Sequence, residues 1–179
     1  MMKATKSFST SFLLVILLFS LSFTNQSQAQ IMYTLYLDGV DKQIAEEIAD
    51  AMEEAAWYYN EFGFWKKHVQ VKYNPNVPTA QSSYWGVIEF GGSRDTRTAM
   101  HEIQHTLGVG THSKYHDLMT NGTWDGPCAN KQIQDWGDGD TLRGDSQHIW
   151  PYGLNYDSED SETNRRRAVI ILNKVQCDM

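Results

Sequence analysis

Hydrophobic and polar positions change period several times along the chain, and each change marks a predicted element. Residues 31–37 are rich in β-forming side chains and run into Asp38-Gly39, which predicts a strand closed by a turn. Ile44, Ile48, Met52, Ala55 and Tyr59 then recur at helical spacing between Asp41, a predicted N-cap, and Gly63. Residues 68–73 alternate as a strand does and break at residues 74–78; residues 86–90 read as a further short strand ended by Gly91 and Gly92. Ser93 or Asp95 stands where an N-cap is needed for the helix that follows. Residues 122–145 hold many Gly, Asp and Asn residues with little periodicity and predict a long loop. The last segment predicts a helix: residues 158–162 are acid-rich, Arg165, Arg166 and Arg167 follow a turn later, and Ala168, Ile171, Leu172 and Val175 form one apolar stripe. With both acidic and basic groups so close, the arginines are expected to form a solvated face.

The first residues change the picture of where this domain works. Lys3 and Lys6 precede an apolar run over residues 12–19, and Ser27-Gln28-Ala29 offers a small-x-small cleavage site. This pattern predicts a signal peptide over 1–29, too short to span a bilayer, which takes ~20 apolar residues. The expectation is a secreted chain, extracellular or periplasmic, with a single domain over 30–179 and no membrane anchor after cleavage. The net charge of −7 becomes more negative once the two lysines leave, and an acidic surface argues against nucleic acid as a partner. Cys128 and Cys177 are the only cysteines, and an exported pair is expected to close into a disulfide.

The candidate chemistry lies in His101-Glu102-Ile103-Gln104-His105-Thr106-Leu107-Gly108-Val109-Gly110-Thr111-His112. Two histidines four apart on a helix share one face, so their ring nitrogens can converge on one ion. A third imidazole leaves a tetrahedral position open for water, and Glu102 stands beside it as general base. Gly108 can take positive φ, break the helix and turn His112 toward the ion.

This segment resembles the metzincin clan of zinc endopeptidases, whose pattern is HExxHxxGxxH followed by a methionine-bearing turn. Positions 101–108 match as they stand, whereas the third histidine falls one residue later than in the pattern. His112 is therefore the third ligand the resemblance implies, with His116 and His148 as substitutes, and Met119 is the methionine of the turn. The resemblance also implies a twisted mixed sheet packed on an N-terminal helix and the active-site helix, with an edge strand as upper rim of the cleft; residues 86–90 are the strand expected there. A zinc-dependent endopeptidase acting on polypeptide, as a monomer, follows from it.

Further candidates surround this motif. His148, Trp150, Tyr152 and Tyr156 cluster about Pro151 and Gly153, and Tyr152 or Tyr156 is a candidate donor to the oxyanion formed at a scissile carbonyl. Asp135, Asp138, Asp140 and Asp145 supply oxygens of the kind Ca2+ takes, though their spacing fits no standard calcium loop. Two other functions use the same residues: an exported glycan-binding or adhesive module, suggested by six tryptophans and nine tyrosines, with a structural metal; or a metal-dependent amidase acting on cell-wall material.

Overall fold

The computed structural model describes residues 30–179; the expected signal segment, 1–29, lies outside the described residues. The chain begins with β1 (Gln30–Tyr36), α1 (Lys42–Phe62), β2 (Lys66–Tyr73), β3 (Ala80–Ser82), β4 (Val87–Phe90) and α2 (Thr96–Thr106). It continues through α3 (Ser113–Leu118), β5 (Met119–Thr120), β6 (Thr123–Trp124), α4 (Pro127–Trp136), β7 (Arg143–Gly144), β8 (Ile149–Trp150) and α5 (Glu162–Asp178). Two sheets and five α-helices among the described residues make a mixed, α+β arrangement.

α1 forms where the apolar spacing predicts it. The Asp41 carboxylate accepts from the Gln43 and Ile44 N–H groups, and the Gly63 N–H closes the far end on the Tyr59 carbonyl. Ile48, Met52, Ala55 and Tyr59 are fully buried along one face. The Tyr59 hydroxyl also donates to the Met100 carbonyl at 2.8 Å, which fixes α1 against α2. The first sheet supplies the other side of this core through Val69, Val71, Ile88 and Phe90.

The strand order of that sheet is β1-β2-β4-β3, with β1, β2 and β4 parallel and β3 antiparallel to β4. This corrects the expected edge: residues 87–90 are paired on both sides, and the edges of the sheet are β1 and β3, of which β3 borders β4. The signal for β3 is weak because Ala-Gln-Ser carries no β-branched or aromatic residue and spans only three positions. A tight turn holds it, in which Ser83 N–H donates to Val87 and Gly86 N–H to Ser83, with Gly86 at φ +88°.

The long loop expected over 122–145 is also corrected. It contains α4, flanked by Pro127 in its first turn and Gly137 in a left-handed C-terminal position. Only Ala129 and Ile133 of α4 are buried, too few to register as an apolar period. Its exposed N–H groups are met from α5: the Asp178 carboxylate accepts from Cys128 and Ala129 N–H at 2.8 and 3.0 Å. The Cys128 and Cys177 sulfurs lie within bonding distance beside this cap. The second sheet, β5-β6-β7-β8, is a small antiparallel meander whose strands are two residues each.

In α5 the predicted stripe of Ala168, Ile171, Leu172 and Val175 is fully buried. Of the three arginines, Arg165 reaches Asp160 and Glu54, Arg166 pairs with Glu162, and Arg167 reaches Asp138. Arg165 and Arg167 thus tie α5 to other elements. No helix among the described residues is long and apolar enough to cross a membrane.

Candidate metal centre

Asp95 caps α2 by accepting from the Thr98 N–H at 2.7 Å, so the helix starts in register to carry His101, Glu102 and His105. His101 and His105 project from one face. Each commits its Nδ1 to a backbone carbonyl: His101 to Gly153 and His105 to Val109, both at 2.8 Å. A carbonyl only accepts, so Nδ1 carries the proton and Nε2 keeps its lone pair. The two Nε2 atoms then face each other 3.1 Å apart. Two lone pairs at that separation repel unless a cation lies between them. A tetrahedral zinc with bonds of about 2.0–2.1 Å would set its ligand nitrogens about 3.3 Å apart, close to the observed spacing.

His148 completes the group. Its ring is stacked on His101 with centroids 5.4 Å apart and meets His105 edge-on at 5.8 Å. Ligand atoms of these three residues all lie within 4.8 Å of one another. The His148 backbone is held by Asp145, whose Oδ1 accepts from the Gln147 and His148 N–H groups at 2.7 Å each. The same carboxylate stands beside His148 Nδ1 at 3.4 Å, which leaves Nε2 for the centre. From below, the buried Tyr115 hydroxyl sits 2.7 Å from the His148 carbonyl and 3.0 Å from that of Asp145, its proton shared between them.

His112 is placed elsewhere. Its backbone caps α3, its Nδ1 accepts from the Lys114 N–H at 3.2 Å, and its ring rests against Tyr84. Gly108 does turn with positive φ, at +115°, but the turn does not bring His112 to the pair. Gly110, at φ +66°, instead lies so close to the backbone of Gln147 that a Cβ would strike it. That approach seats the loop carrying His148 over the end of α2. His116 is exposed on α3.

Burial sets the protonation of the group. It pulls His101 down to about 3, with the neighbouring His105 adding to the effect, and it pulls His105 down as well. Both rings are thereby kept neutral, the form that binds a metal. Glu102 is pushed up to about 7, first by burial, while a hydrogen bond from Ser82 and the charge of Arg97 oppose the rise. A carboxyl poised near neutrality suits a general base.

These residues open on a cleft of about 440 Å³, bounded by residues 79–82 on one side and by Gln147, His148, Trp150, Asn155 and Tyr156 on the other. Tyr156 stands at its rim, 62 % exposed. Tyr152 is corrected as an oxyanion candidate, because its hydroxyl donates to Asp138 and receives from Arg167, away from this cleft. It serves through its backbone, where its carbonyl accepts from the buried Gln104 side chain. Met119 lies with its side chain against Gly144. The four aspartates do not converge: Asp135 pairs with Lys131, Asp138 with Arg167, Asp145 holds the His148 turn, and among the described residues no metal-type cluster includes them.

Ser82, Asp145 and the carbonyls of Val109 and Gly153 hold Glu102, His148, His105 and His101 in place, a part the sequence does not assign to them. An isolated serine in a three-residue strand and two backbone oxygens carry no pattern, while Asp145 was legible only as one acidic residue among several. Comparisons with protein-family models, with curated proteins and with solved structures found no match.

Proposed function

We propose that this chain is a secreted zinc-dependent endopeptidase of metzincin-like architecture, with His101, His105 and His148 holding the ion. The observation that carries the reading is the pair of Nε2 atoms facing each other at 3.1 Å, each with its Nδ1 on a backbone carbonyl, and a third imidazole beside them. Three nitrogen donors leave a tetrahedral site incomplete, the pattern of catalytic zinc, not structural zinc. When bound, zinc acidifies a coordinated water to near neutrality and polarises an amide carbonyl.

The chain's own groups do the rest. Glu102 takes the proton of the attacking water and returns it to the leaving nitrogen. Ser82 holds the Glu102 carboxyl in place through its hydrogen bond. The free edge of β3 lines the cleft and offers unpaired backbone groups to an extended polypeptide, which would bind as one more strand. Tyr156, at the opposite rim, can swing its hydroxyl toward the developing oxyanion.

The test is Glu102→Gln. Wild-type protein is expected to cut a peptide library with zinc, stop with chelator and resume on zinc addition. The variant should bind zinc as tightly and cut slower by about 100- to 10,000-fold, the usual share of a general base. Undiminished cleavage by the variant would overturn the assignment.

A further inference from the structure

A second cavity, of about 400 Å³, lies on the other side of Trp150, which lines both. Its walls combine Trp150, Pro151 and Tyr152 with Asp140, Arg143, Glu159 and Asn164. Arg143 and Trp150 are cross-strand partners in β7 and β8, so their side chains leave the small sheet on the same face. The loop that follows is held firmly: Tyr152 and Leu154 take positive φ, at +75° and +54°, and Arg97 donates to the Leu154 carbonyl at 3.0 Å. Such strain in non-glycine residues marks places where surrounding structure fixes an unfavoured backbone.

The chemistry of this lining excludes several ligand classes. Asp138 is already neutralised by Arg167 at 3.1 Å. What remains is a pair of carboxylates, Asp140 and Glu159, against one guanidinium, Arg143, none of them in an ion pair. Mixed signs of this kind disfavour a strongly charged ligand. The carboxylates do not converge as ligands of a cation. A purely apolar ligand would take water from the Asp140 carboxylate and from the remaining guanidinium N–H groups of Arg143, whose one hydrogen bond is to Thr123, and would offer them nothing in return. A neutral, hydroxyl-rich ring meets every requirement: its C–H face lies on an indole, and its hydroxyls both donate to carboxylates and accept from guanidinium and amide.

We infer that the cavity between Trp150 and Asp140 is a saccharide-binding site, and that the substrate is accordingly a glycosylated polypeptide, its backbone in the histidine cleft and a sugar across the Trp150 partition. The naming of the substrate rests on the endopeptidase reading; the sugar site does not.

The experiment has two arms. In the first, ligand-observed saturation-transfer NMR is recorded with glucose, galactose and N-acetylglucosamine on the whole zinc-loaded domain, wild type and Asp140→Ala/Arg143→Ala. At least one sugar should receive saturation from the wild type, with the signal reduced about tenfold in the variant while thermal unfolding is unchanged. In the second, an O-glycosylated mucin polypeptide and its enzymatically deglycosylated form are offered as substrates. The wild type should prefer the glycosylated form by about tenfold in kcat/KM, through KM, and the double variant should lose that preference. Saturation of a sugar without cleavage of either polypeptide would uphold the site and sink the endopeptidase reading. Cleavage of both forms at equal rates, with no sugar saturated, would overturn the saccharide site and leave the endopeptidase reading standing. Equal saturation of wild type and variant would place the sugar elsewhere and likewise overturn the inference.

Discussion

The Ser82 hydroxyl lies 2.6 Å from Glu102 Oε2 and donates to it, joining the edge strand β3 to the proposed general base. The same oxygen stands 3.0 Å from the Glu102 carbonyl, so strand and helix are fastened at one point. The donor stabilises the ionised carboxylate against the burial that pushes Glu102 up to about 7. Ser82→Ala should therefore raise Glu102 further and move the acid limb of the kcat/KM profile to higher pH. Loss of one hydrogen bond to a charged group, roughly 1.5 kcal/mol, corresponds to about a tenfold loss of activity at neutral pH. Ser82→Thr should restore most of it; a profile unmoved by Ser82→Ala would remove Ser82 from the mechanism.

His148 and His112 make opposite predictions. Replacing His148 by Ala takes a nitrogen from the centre, and zinc affinity, read by competition with a chromophoric chelator, should fall by more than the roughly 10- to 100-fold typical of losing an outer-shell partner. His112→Ala removes a side chain that caps α3, so affinity should stay within a few-fold while the melting temperature falls slightly. The reverse pattern would restore the ligand that the motif resemblance implies.

Gly110 is predicted to be as restrictive as a ligand without being one. At φ +66° and pressed on the Gln147 backbone, it accepts no side chain. Gly110→Ala should cost on the order of 1–3 kcal/mol in denaturant unfolding, the range for a forced backbone conformation. It should also weaken zinc binding, since the loop it displaces carries His148. Full affinity in a destabilised variant would separate the two effects and refute the second.

Acid should destabilise the metal-free protein in a defined window. The folded-state values of His101 and His105 are lowered, His101 from 6.5 to about 3 by burial, so the unfolded chain binds more protons below pH 6.5. Their contribution is intact above pH 6.5 and is lost as pH falls toward 3. Glu102 works the other way: raised from 4.5 to about 7, it destabilises the fold increasingly as pH climbs from 4.5 to 7. Two histidines outweigh one carboxyl, so the melting temperature of chelator-treated protein should drop between pH 6.5 and 3. In Glu102→Gln the opposing effect is gone, and the drop should be steeper. A flat profile in both proteins would contradict the burial of the two imidazoles.

The elements with long, regular patterns were legible in the sequence. α1 and α5 each repeat an apolar face over several turns, and α2 is framed by an acidic cap and a glycine. His101 and His105 share a face because the spacing of a helix is local and nothing distant can alter it. β3 and α4 were not legible: β3 has three residues of no β preference and is held by a turn to β4, while α4 has two buried positions and is capped by Asp178, far along the chain.

What the sequence determined by itself is therefore the pair of imidazoles and the carboxyl between them, fixed by the geometry of one helix. The third imidazole was decided by tertiary structure alone. His112 is near in sequence yet held by α3, whereas His148 is distant in sequence and delivered by Asp145, Tyr115 and the close approach at Gly110. Asp145 acts within one local turn, but the contacts from Tyr115 and Gly110 join residues tens of positions apart, and no periodicity records them, because they exist only once the core has closed.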